Sequence, residues 1–72
     1  MSGMVRIDAR GMRCPWPAVR LVRVLRDGAR IAEILADDPQ AATELAAVAE
    51  ANGATIEIIL DETYQTYVVT CR

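Results

Sequence analysis

The sequence predicts an α/β two-layer sandwich with the element order βαβαββ and two helices on one face of the sheet. Three observations carry that expectation. Short stretches that alternate apolar and polar residues, as half-buried strands do, are interleaved with two stretches of helical periodicity. Each helical stretch ends at a glycine, Gly28 or Gly53, where a chain leaving a helix readily turns left-handed. Two right-handed crossovers that advance in the same direction place both helices on one side, which leaves the opposite sheet face more polar.

Taken in order, Met4-Val5-Arg6-Ile7-Asp8 alternates and forms the first strand, and Ala9 to Arg13 is a loop containing Gly11. From Pro15 to about Asp27, Ala18, Leu21, Val22 and Leu25 recur at helical spacing, with Arg20, Arg23 and Asp27 on the opposite side. Ile31 to Ala36 is the second strand. Asp38 followed by Pro39 is a helix start, a carboxylate cap before a proline at the first helical position. That helix runs to about Asn52 and buries Ala41, Leu45, Val48 and Ala49. Ala54 to Leu60 directs Ile56, Ile58 and Leu60 inward and Thr55 and Glu57 outward. Tyr64 to Cys71 is the last strand, with Tyr67, Val69 and Cys71 on its more apolar face. The order places the loops after the first two strands on one edge of the sheet, so both helix N-termini open there, one beside Cys14 and the other beside Asp37-Asp38.

At 72 residues the chain is read as one domain, residues 1–72, too small to enclose a large cavity. Every basic residue is an arginine. Seven of the eight lie before residue 31 against Asp8 and Asp27 alone, while eight acids follow with only Arg72. The molecule is therefore dipolar, with one basic face. An acidic total and few aromatics disfavour nucleic acid as the partner, and docking to an acidic protein patch is preferred. Arg20 and Arg23, a turn apart on the exposed helix face, are the first choice for that docking.

There are two cysteines and no histidine. Two thiolates cannot close a tetrahedral zinc site, so neither a metal nor a resident cofactor is expected. Cys-His and Ser-His nucleophilic pairs are excluded outright. No N-terminal signal pattern is present, and no apolar run approaches the ~18 residues of a membrane span. A monomer in the reducing cytoplasm is the expectation, a setting that disfavours a structural disulfide and permits a reactive thiol.

The chemistry concentrates in Gly11-Met12-Arg13-Cys14-Pro15-Trp16-Pro17. Cys14 is placed at the N-cap of the first helix, where prolines sacrifice no hydrogen bond. They leave Trp16 as the one free N–H donor in the first three helical positions. That N–H, the helix dipole and Arg13 would each favour an ionised, nucleophilic sulfur, and the two prolines would hold it outward. Asp38 is read as a cap rather than an acid–base or metal group, and Asp37 as the end of its strand. Cys71 falls on the inward phase and is read as a core residue, not a resolving thiol. Trp16 is equally suited to packing and to partner contact.

The run Asp8-Ala9-Arg10-Gly11-Met12-Arg13-Cys14-Pro15-Trp16-Pro17, with Ala36-Asp37-Asp38-Pro39 at the second helix start, resembles the TusA (SirA-like) sulfur-carrier family from Met4 to Cys71. Trp16 is bulkier than the polar or aliphatic residue that many members carry between the prolines. The resemblance implies a four-stranded mixed sheet under two helices and a transient persulfide on Cys14, the catalytic residue. It implies a cysteine desulfurase or rhodanese-like sulfurtransferase as donor and a downstream acceptor protein. Such proteins feed tRNA thiolation, molybdenum-cofactor maturation, sulfur oxidation or selenium handling. The alternative is a non-catalytic interaction or regulatory module in which Cys14 is incidental.

Overall fold

The computed structural model describes residues 4–71, so the expected domain extent includes four positions, 1–3 and 72, outside the described residues. Its elements are β1 (Met4–Asp8), α1 (Trp16–Arg26), β2 (Ile31–Ala36), α2 (Ala41–Ala51), β3 (Ala54–Leu60) and β4 (Gln65–Cys71). The expected βαβαββ order holds, and the sheet is mixed, with strand order β1-β2-β4-β3. β1 runs parallel to β2, and β4 lies antiparallel to both of its neighbours, β2 and β3. The second crossover therefore leaves a gap one strand wide, which β4 fills on its return.

Alternation sets the two faces. Ile7, Ile34 and Tyr67 lie side by side across β1, β2 and β4, as do Val5, Ala32 and Val69, and these rows meet the helices. α1 contributes Ala18 and Leu21 to the same core, and α2 contributes Ala41, Leu45 and Ala49. With no phenylalanine, the largest fully buried side chain is Tyr67. Alanine at Ala18, Ala32, Ala36, Ala41 and Ala49 lets the helices lie close on the strands, so dispersion over short distances does the work of bulk. The open face carries Arg6 and Glu33 in an ion pair at 2.8 Å, with Val68 and Glu57 continuing that row, and is more polar than the covered one.

Three packing expectations and one strand boundary are corrected. Val22 turns outward, 42% exposed, and Val24 packs against the core instead, because the buried stripe of α1 follows Pro17, Ala18 and Leu21. Ile58 and Leu60 share the helix-facing side of β3 yet are 47% and 76% exposed. Strand β3 lies at the sheet edge, and its C-terminal half extends past the cover of the helices. Cys71 is half-buried rather than part of the core, since it ends its strand opposite Ala54. Tyr64 precedes β4, its carbonyl accepting the Asp61 N–H at 3.0 Å in the connecting turn.

Candidate functional site

The parallel pair β1 and β2 delivers its two following loops to one edge, and three backbone N–H groups of the first loop donate across to the end of β2 and the loop after it. The Ala9 N–H donates to the Leu35 carbonyl at 2.8 Å, which carries the ladder one step past β1. Gly11, at φ +82°, aims its N–H at both carboxylate oxygens of Asp37, 3.0 and 3.1 Å away. The Cys14 N–H donates to Asp38 Oδ2 at 3.3 Å. Upstream, Arg10 grips Asp8 through two guanidinium bonds of 2.9 Å while lying 5.2 Å from the Tyr64 ring centroid. That hydrogen-bonded guanidinium holds the Asp8 carboxyl down at about 2.

The entry to α1 differs from expectation by one residue. Pro15, not Cys14, is the N-cap, and the Cys14–Pro15 peptide bond is cis. The Trp16 N–H is not free for the sulfur. It donates to the Arg13 carbonyl at 2.9 Å and closes a turn around Cys14. Pro15 is exposed and Pro17 fully buried, so one proline faces solvent and the other anchors the helix start in the core. Trp16 is 59% exposed, so it projects from the surface rather than packing into the core. Arg13, Arg20 and Arg23 are all exposed, Arg20 and Arg23 along the outer side of α1.

α2 likewise begins later than expected, at Ala41 with Gln40 as its N-cap. Asp38 still serves the helix entry, taking the Gln40 N–H on Oδ1 at 2.8 Å while its other oxygen holds Cys14. Asp37 lies just past the end of β2, not in it, and clamps the opposite loop through Gly11. The acid pair thus ties the two loops together.

The electrostatic expectation is overturned. Cys14 is half-buried at the rim. Hydrogen bonding to the Glu44 carboxylate, in the first turn of α2, then partial desolvation, then the charges of Glu44 and Asp38, push its thiol up to about 11. A carboxylate that accepts from the thiol stabilises its protonated form and repels the thiolate. The dipole and Arg13 favour the opposite form, but the Trp16 N–H that would meet the sulfur is taken by the Arg13 carbonyl. Glu44 had a signal in the sequence. It lies three residues after the buried Ala41 and beside the buried Leu45, on the flank of the inward stripe and on the Cys14 edge.

Cys71 is remote from this rim. Residues Ile31 and Thr70 are paired at the end of the sheet where β1 and β2 begin, whereas Cys14 follows the end of β1. Among the described residues no group of three or more His, Cys, Asp or Glu side chains could hold a metal ion. No helix among them is long and apolar enough to cross a membrane.

A two-layer α/β domain that presents one cysteine at the edge where both its helices begin has the architecture of a small thiol carrier. The comparisons make that class specific. The sequence model described as Sulfurtransferase TusA matches residues 5–71, and the chain belongs to the TusA family. Among solved structures, the SirA-like protein of Desulfitobacterium hafniense superimposes with a TM-score of 0.84 at 27% identity, over 93% of this chain and 96% of that one. None of the curated proteins compared with the chain matches it. Family membership supports a sulfur-carrier role in general, in company with sulfur donors and acceptors.

Proposed function

We propose that this protein accepts sulfane sulfur as a persulfide on Cys14 and relays it to an acceptor protein, in the cytoplasm and without a bound cofactor. The observation that carries the reading is the position of Cys14 at the sheet edge between the two helix entries, with its backbone held by Asp38 and its side chain at the surface. Sulfur exchange needs an accessible sulfur on a stiff frame more than it needs an acid–base array. The clamped loop supplies the frame, since Asp37 on Gly11 and Asp38 on Cys14 leave it little freedom. A cysteine desulfurase or a rhodanese-like sulfurtransferase is the donor this reading calls for.

In the loading step the Cys14 thiolate attacks the outer sulfur of a donor persulfide. The new sulfur–sulfur bond at Cys14 forms as the donor's breaks, and the donor leaves as a thiolate that takes up the proton Cys14 lost. There is no net oxidation or reduction. Handing the outer sulfur to an acceptor thiolate repeats the exchange in the other direction.

The second reading, a regulatory or interaction module with an incidental cysteine, draws on the surroundings that push the Cys14 thiol up to about 11 and away from the nucleophilic form. The two readings separate in one experiment. Incubated with a cysteine desulfurase and cysteine, the protein gains one sulfur atom by intact mass, and Cys14→Ser abolishes the gain. No gain in the native protein, or an equal gain in the variant, refutes the carrier reading.

A further inference from the structure

The two edges of the sheet are built differently. β1, five residues long, carries Arg6 and Asp8, each tied into an ion pair, and a short charged strand resists further pairing. β3, the other edge, is seven residues long, pairs with β4 without interruption from Ala54 to Leu60, and holds no proline and no basic residue. Half of its backbone N–H and C=O groups point away from β4, where the sheet has no further strand to meet them. Its last three residues are apolar on both sides of the sheet. Ile58 and Leu60 stand on the helix-facing side, past the cover of the helices, at 47% and 76% exposure. Ile59 stands on the open side, 56% exposed, where the alternation of Thr55 and Glu57 calls for a polar residue. Packing within the chain gives no account of it.

This apolar run lies at the same end of the sheet as Cys14, because Leu60 pairs with Gln65, which also pairs with Ala36 at the end of β2. From β1 to β3 is three strand spacings, about 14 Å, within the footprint of a single protein interface. Charge says what pairs there. Glu57, Asp61 and Glu62 are exposed along and just past the run, and no basic residue lies between Arg30 and Arg72. Arg10, which reaches the following turn over Tyr64, is committed to Asp8. A second copy of β3, paired antiparallel, would set these acids against their own counterparts with no cation between them, so the strand is a poor partner for itself. An extended segment that mixes apolar side chains with lysines or arginines answers both features.

We infer that the free edge of β3 is a docking site on which a sulfur donor or acceptor protein lays an extended apolar and basic segment as a fifth strand of the sheet. The identity of the partner rests on the carrier reading. Main-chain hydrogen bonds hold the segment, Ile58, Ile59 and Leu60 receive its apolar side chains, and Glu57, Asp61 and Glu62 take its cations. The partner is then gripped at one side of the rim while its reactive sulfur meets Cys14 at the other.

Blocked heptapeptides probe the edge without a partner protein. One alternates valine and lysine, a second alternates valine and glutamate, and a third repeats the first with a central proline, which cannot donate to a ladder. Titrated into the isotope-labelled protein at low salt, the lysine peptide should shift the NMR amide resonances of β3 and the turn after it, and slow hydrogen exchange along β3. The glutamate peptide should bind about tenfold more weakly, as three exposed charge pairs would give, and molar salt should narrow that difference. The proline peptide should fail to bind. Ile59→Lys should weaken the lysine peptide while circular dichroism shows the fold retained, and the peptide series stands even where that variant unfolds. No binding, shifts confined to α1, equal affinity for the lysine and glutamate peptides, or undiminished binding of the proline peptide overturns the proposal. So does concentration-dependent self-association that perturbs β3, which makes a second copy the occupant. Desulfurase loading reads the carrier function separately, so sulfur gain with no peptide on β3 removes the docking edge alone, and peptide on β3 with no sulfur gain removes the carrier reading alone.

Discussion

Alkylation of Cys14 across pH gives the most direct reading of its surroundings. The perturbation is Glu44→Gln, which keeps the shape of the side chain and removes the carboxylate that does most to raise the thiol. With the thiol near 11 rather than its ordinary 9.0, the thiolate fraction at pH 8 is lower by about a hundredfold. Glu44 supplies both the largest contribution and the leading charge, whereas burial and Asp38 persist in the variant. The variant should therefore react with iodoacetamide at pH 8 faster by roughly ten- to a hundredfold, with the inflection of its rate profile moving from near 11 back toward 9.0. Stability follows with a definite sign. Because folding raises this pKa, the contribution of the protonated thiol is fully present below 9.0 and is lost as pH rises through about 11. Thermal unfolding of the native protein should fall over that window more steeply than that of Cys14→Ser, which has no such proton to lose. A native profile that inflects at or below 9.0, unchanged by Glu44→Gln, would refute the reasoning.

Two further substitutions probe the frame. Asp38→Ala removes acceptors from both the Gln40 and Cys14 N–H groups and should lower stability by about 1 kcal/mol, a few degrees in Tm for a domain of this size, by calorimetry. In the same variant the rate of Cys14 alkylation should rise, because a like charge is lost as the loop loosens. Leu45→Ala opens a void under α2 at a fully buried position and should cost roughly 3 kcal/mol in urea unfolding, a large part of what so small a core supplies.

Much of the architecture was legible along the chain because it depends on local period and local caps. The alternation in Met4–Asp8 and the short apolar run Ile31–Ala36 gave both strands to the residue, and the glycines at 28 and 53 marked the two helix ends. Periodicity alone was less secure at Val22 and Leu60. Each has the right phase for burial, yet which phase is covered depends on where the opposing layer stops. The loop cysteine between Arg13 and Pro15 could be singled out from residue types and spacing, and so could the acid pair in the loop before α2.

The state of the sulfur could not be read that way, and the reason is physical. Helix dipole, neighbouring arginine and free N–H are arguments from residues adjacent in the chain, and they predict a thiolate. Hydrogen bonds and charges act through space over a few ångströms, and the fold sets Glu44, thirty residues away in sequence, against the thiol while the turn closing on Arg13 takes the Trp16 N–H. The sequence by itself determined the order of elements, the exposed loop and the residue that bears the sulfur. Only the tertiary structure decided which charges surround that sulfur, because that depends on how a loop and a helix from different parts of the chain pack and not on either alone.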